Sequence, residues 1–139
     1  MTAQVEDKIY WHEAPSADWN SARRLGKAVR HCETNALQAH GISDPEDFAY
    51  FTDCTNNAVY GCGAEEARMI RGIGKKESLR DYSSQLELLL LAFHENAVAS
   101  ALDKSHAQGR EEIEKVWEKV DEAISNTRLS FPQLLAIEA

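Results

Sequence analysis

The chain has 139 residues, 43% hydrophobic and 27% charged, and its 15 Lys and Arg against 23 Asp and Glu give a net charge of −8. That length fits one domain with a modest core, and the composition excludes a chain disordered throughout. The longest leucine run, Leu88 to Leu91 within Leu86 to Phe93, falls far short of the ~20 apolar residues a membrane span needs, and the opening residues lack a signal peptide's basic-then-apolar order; a cytoplasmic protein with no membrane partner is the expectation.

In chain order, Ser16 is placed to cap a first helix running to about Ala39. Trp19, Ala22, Leu25, Val29, Cys32 and Ala36 form its apolar stripe, and Gly41 is its stop. Ser43-Asp44-Pro45-Glu46-Asp47 combines a cap, a first-turn proline and acid near the positive helix end. This predicts a second helix whose contacts come from Phe48, Phe51 and Val59, with Asn56 and Asn57 weakening its later part. Gly61 and Gly63 bracket a turn into a short helix from Ala64 to about Arg71, closed by Gly72.

Ser84 and Glu87 make an S-x-x-E capping box, predicting a helix from Ser84 to about Lys104. It is apolar on every side through Leu88, Leu89, Leu90 and Leu91, then narrows to Phe93, Ala97, Val98, Ala101 and Leu102. A helix apolar all round must be surrounded, and a short chain has few helices to surround it. A homodimer is therefore expected, with Leu88, Leu89, Leu90, Leu91 and Phe93 at its interface. After Gly109, the residues Ile113, Val116, Trp117, Val120 and Ile124 predict another amphipathic helix. The apolar tail Leu129 to Ala139 is expected to dock on its own bundle or on a partner subunit. No strand run or repeat stands out. The expected fold is all-α, a single compact bundle of about five helices over residues 1–139, dimeric through an intersubunit helical core.

Net acidity ordinarily argues against nucleic acid, yet the charge changes sign in blocks. Arg23, Arg24, Lys27 and Arg30 lie in one basic segment, and Arg68, Arg71, Lys75, Lys76 and Arg80 in another, whereas acid dominates Asp44 to Asp53 and Glu111 to Glu122. The second segment puts glycines and long cations just before a rigid helix. Its lysines suit point contacts to phosphate, and Arg71 and Arg80 can fork onto phosphate or a carboxylate. The competing reading pairs Arg80 with Asp81 or with an acidic helix of a partner subunit.

Other chemistry has weaker support. Cys32, Cys54 and Cys62 are odd in number and lack C-x-x-C spacing, favouring neither a disulfide framework nor zinc. His94-Glu95 lacks the second histidine of a zinc protease helix, and His31 and Cys32, being adjacent, diverge on a helix. Cys62 between two glycines has no histidine tied to it by a motif. Gly61-x-Gly63 carries Glu66 where a third glycine belongs, and Gly72 to Lys76 lacks P-loop spacing. Glu111-Glu112 reads as a solvated helix face. No catalytic residue, metal or cofactor is expected.

The longer pattern Tyr60-Gly61, Arg71-Gly72-Ile73, Leu79-Arg80-Asp81, Ser84-x-x-Glu87-Leu88 resembles the C-terminal helical module of phage BRO-type antirepressors, DNA-damage-inducible protein D and DNA damage response protein C. The resemblance covers roughly residues 48–124. Those relatives often read Arg-Asp-His-Met-Ser, where this chain has Tyr82 and Ser83, so the apolar staple onto Leu88 is missing. The resemblance implies a non-enzymatic, dimeric regulatory module that associates nonspecifically with duplex or single-stranded DNA or regulates DNA-bound proteins. The alternative drawn from net charge −8 is an acidic inhibitor or antirepressor that occupies the DNA-binding face of a host defence, repressor or recombination protein.

Overall fold

The computed structural model describes residues 3–5, 8–10 and 17–138, with side chains at 17–123 and 126. The fold is all-α in its mass, with five helices: α1 (Ala17–Ala39), α2 (Pro45–Tyr60), α3 (Ala64–Arg71), α4 (Gln85–Asp103) and α5 (Gly109–Glu138). A 3-10 turn, Leu79–Tyr82, precedes α4. Two three-residue strands, β1 (Ala3–Val5) and β2 (Lys8–Tyr10), pair antiparallel with Ala3 opposite Tyr10. Runs that short carry too little alternation for the sequence to announce them. The Ser16 cap and the docking of the tail side chains lie outside the described residues.

The helix boundaries follow their caps. Asp44 accepts from the Glu46 amide at 3.0 Å with Pro45 in the first turn. α2 continues through Asn56 and Asn57, whose amides donate to Asp53 Oδ1 and to the Asp53 carbonyl. Gly61 (φ 82°) and Gly72 (φ 68°) end α2 and α3 in the left-handed region that glycine adopts without a Cβ penalty. The α4 capping box is complete: Ser84 Oγ accepts from the Glu87 amide at 3.1 Å, and the Ser84 amide donates to Glu87 Oε1 at 2.9 Å.

α4 is the central element, packed against α1, α2 and α5. Trp19 and Ala22, near the start of α1, share a cluster with Leu88, Leu90 and Leu91, whereas Ala36 and Leu37 near its end join Val98, Ala99 and Leu102. α1 and α4 therefore run the same way. α2 runs against them, since Phe51 packs with the later residues of α4 and Val59 with the earlier ones. α2 is thus the return path that makes the parallel pairing possible, and α3 and the 3-10 turn link its end to the start of α4 and build a smaller cluster from Ala67, Ile73, Leu79 and Tyr82. Phe51 stacks on Trp117 of α5 at 4.7 Å between ring centres.

The buried stripe of α1 departs from the expected one. It runs through Trp19, Ala22, Gly26, Glu33 and Ala36, leaving Cys32 exposed and Leu25 49% exposed. Hydropathy favours Leu25 and Cys32 over their neighbours. Packing instead buries Gly26, with the Arg80 guanidinium in ordinary contact 4.0 Å from where a Cβ would stand, and Glu33, which faces the same charged layer.

The chain's own bundle covers Leu88, Leu90 and Leu91, which are at most 9% exposed. Leu89 and Phe93 remain 40% and 59% exposed and, with Leu86, trace one stripe along α4. Beside this stripe, Ala97, Ala101, Val116, Val120 and Ala123 line an apolar hollow of about 430 Å³. No helix among the described residues is long and apolar enough to cross a membrane.

A candidate anion-binding groove

The two basic segments of the sequence meet in space. Arg23, Lys27 and Arg30 follow one another along a face of α1, opposite Arg68 of α3, Lys76 of the loop and Arg80 of the 3-10 turn. Together they line an open groove of about 750 Å³ that α2 closes with Phe48, Thr52, Asp53 and Asn56. Six of the nine cations singled out in the sequence converge here. Arg24 instead donates to Ser21 on the exposed side of α1. Lys75 lines a separate pocket of about 270 Å³ with Arg68, Met69 and Ile73.

Arg71 turns away from the groove. Its guanidinium forks onto both Glu87 oxygens at 3.0 and 2.5 Å, donates to the Tyr82 carbonyl, and lies 5.1 Å from the centre of the Tyr60 ring. Glu87 thus closes the α4 cap and anchors α3 to it. Arg80 lies on the groove floor with its side chain only 10% exposed and donates to the fully buried Glu95 at 2.8 Å. The expected Arg80–Asp81 pairing is replaced by Arg23–Asp81 at 3.1 Å: neighbouring residues of a 3-10 turn point apart, which aims Arg80 inward at α4 and Asp81 outward at α1. Among the described residues, Lys27 and Lys76 form no ion pair.

Tyr82 and Ser83 hold this loop by packing and hydrogen bonds. Tyr82 is buried in the small cluster, and Ser83 is fully buried. Ser83 Oγ donates to the Leu79 carbonyl at 2.9 Å, so its single proton is spent and the Tyr60 hydroxyl 2.6 Å away must donate to it. The Ser83 carbonyl accepts from the Trp19 indole at 2.8 Å, tying the start of α1 to the start of α4. A polar hub replaces the apolar staple.

Beneath the groove lies Glu33, 4% exposed, with Oε2 lacking a hydrogen-bond partner. Burial, then the nearby Glu95 carboxylate, push the Glu33 carboxyl up to about 8 from its ordinary 4.5, with Arg30 and Arg80 pulling the other way. Glu33 therefore holds its proton at neutral pH. Asp53, on the opposite wall, is spent locally, accepting from the Ala64 amide at 3.1 Å and so capping α3 where Gly63 has no side chain to do so.

One constellation has no sequence signal. Thr55 of α2, His94 of α4 and Asp121 of α5 form a relay with Thr55 Oγ1 3.0 Å from His94 Nδ1 and His94 Nε2 2.6 Å from Asp121 Oδ1. With neutral His94, Nε2–H donates to the carboxylate and Nδ1 accepts from the hydroxyl. The form is that of a nucleophile–base–acid triad, but Thr55 is 1% exposed and His94 fully buried, so no substrate atom reaches the hydroxyl. The relay joins three helices beside Trp117. Burial raises the Cys62 thiol, and raises Cys54 to about 11, keeping both protonated. Among the described residues no three His, Cys, Asp or Glu side chains gather in a metal-binding arrangement. Comparison with protein-family models and with curated proteins gives no match to this chain.

Proposed function

We propose that this chain is a dimeric, non-enzymatic module that associates with nucleic acid through the basic groove without reading its sequence, in the regulatory setting implied by its resemblance to the phage antirepressor and DNA-damage-response modules. The observation carrying this reading is the convergence of two basic segments, distant in sequence, on one groove of a chain whose net charge is −8. Lys27 and Lys76 are the contacts best suited to phosphate, being cationic, exposed and, among the described residues, free of ion pairs. The exposed Leu86, Leu89 and Phe93 stripe and its adjoining hollow supply a face for a second copy.

The test is Lys27→Ala with Lys76→Ala. Removing two phosphate contacts should weaken binding to unrelated DNA sequences by similar factors, and should flatten the slope of log affinity against log salt by roughly 1.5 to 2. An unchanged affinity and slope in the folded double variant refutes the groove as the contact surface. The acidic, protein-binding alternative then gains, with the exposed Glu111, Glu112, Glu118 and Glu122 of α5 as its surface.

A further inference from the structure

Six cations line the groove, and five carboxylates face them: Asp53, Glu65 and Glu77 in the lining, Asp81 on Arg23, and Glu95 on Arg80. The excess of one positive charge depends on Glu33 being neutral. Glu33 sits one helical turn from Arg30 on α1 and faces Glu95 of α4 and Arg80 of the 3-10 turn. It is nearly closed to solvent, and its orphaned oxygen has no donor waiting for it. The charged groups facing it are therefore Arg30 on its own helix, Arg80 from the turn and Glu95 from α4.

We propose that Glu33 is a proton gate for the groove: protonated, it leaves the groove positive and open to a polyanionic strand, and ionised, it adds the sixth carboxylate and draws Arg30 and Arg80 to itself. This rests on the reading of the groove as a polyanion site and specifies how that site is regulated. The gate acts by charge balance and not by direct contact, since Glu33 is nearly closed to solvent and is not among the residues lining the groove. Its range follows from burial, which brings the proton's loss into the mildly alkaline region. Linkage is reciprocal, so a bound polyanion must hold the proton on Glu33 more tightly by the same factor that the proton favours binding.

The experiment measures binding of a rhodamine-labelled oligo-dA strand, which has no titrating group between pH 6.5 and 9.5, at constant ionic strength across that range. Wild-type affinity should fall by about tenfold or more from pH 7 to 9.5, the effect of one negative charge placed near the strand at an effective dielectric near 20. Glu33→Gln should keep its neutral-pH affinity to within about twofold over the same range, given that its amide cannot ionise. Parallel falls in the two proteins overturn the gate and leave the groove reading standing. No binding by either protein at pH 6.5 overturns the groove reading and the gate with it. Carbon-13 titration of the Glu33 carboxyl in the unmutated protein provides a test independent of the variant. A midpoint near 8 that rises by about one pH unit with saturating strand supports the gate, and a midpoint that does not move overturns it.

Discussion

Replacing Glu33 by Gln should make the fold's stability less sensitive to pH, and the sign is fixed by the direction in which the fold moves the carboxyl. In the unfolded chain Glu33 ionises near its ordinary 4.5, whereas in the fold it keeps its proton until about 8. Between these values the native state binds one more proton than the unfolded state, so each step up in pH favours unfolding. The span corresponds to on the order of 5 kcal/mol of folding free energy, present in full below about pH 4.5 and withdrawn by about pH 8. Other groups also titrate, and self-repulsion of an acidic chain adds its own slope, but both proteins share those contributions and the difference between them does not. Urea unfolding of wild type and Glu33→Gln at pH 5, 7 and 9 isolates the Glu33 contribution. The variant should gain several kcal/mol on wild type between pH 5 and pH 9. Parallel stability profiles would refute the assignment of a buried, protonated carboxyl.

Arg80→Met should cost about 3 to 5 kcal/mol by leaving Glu95 buried and unpaired, measured by denaturant unfolding at pH 7; a loss below about 1 kcal/mol would mean that Glu95 is otherwise satisfied. His94→Ala should cost about 2 to 4 kcal/mol, combining the lost packing on Trp117 with unpaired groups at Thr55 and Asp121, and should be read by the same assay. Leu89→Asp should preserve helix content by circular dichroism and weaken self-association at least about tenfold by light scattering, whereas Leu91→Asp, fully buried within its own chain, should abolish folding. Monomeric wild type at tens of micromolar, roughly where a micromolar dimer forms, would refute the proposed second-copy face.

The helices were readable from the sequence because their ends are written in local chemistry. Asp44-Pro45 and the Ser84–Glu87 box act within a single turn, and Gly61 and Gly72 meet a backbone requirement other residues meet poorly. The phase of α1 was not readable, because its buried face carries a glycine and a protonated glutamate in place of hydrophobes. Hydropathy counts both as polar, whereas the fold turns both toward the charged layer around Arg80. The basic segments could be found one by one, but their meeting in a groove depends on the parallel packing of α1 and α4, a tertiary fact. The same holds for Thr55, His94 and Asp121, which come from three helices with no common spacing.

The stretch from Leu79 to Glu87 shows why the most conspicuous motif of the chain serves the groove without providing its free contacts. Leu79 and Tyr82 fill the small core, Arg80 binds Glu95, Asp81 binds Arg23, Ser83 joins Trp19 to Tyr60, and Glu87 serves both the α4 cap and Arg71. Nearly every side chain capable of recognition is already engaged within the chain. Of the groove's arginines, Arg23 and Arg80 are held by carboxylates, Arg68 donates to the Glu77 carbonyl and Arg30 to the Thr52 hydroxyl, whereas Lys27 and Lys76, which act as point charges on flexible stems, form no ion pair among the described residues. Under the proposed function, such a surface would serve as a phosphate track. What the motif contributes is rigidity: the Trp19–Ser83 and Arg23–Asp81 contacts tie α1 to the 3-10 turn, and so hold together the two walls between which, on that proposal, Lys27 and Lys76 would meet a strand.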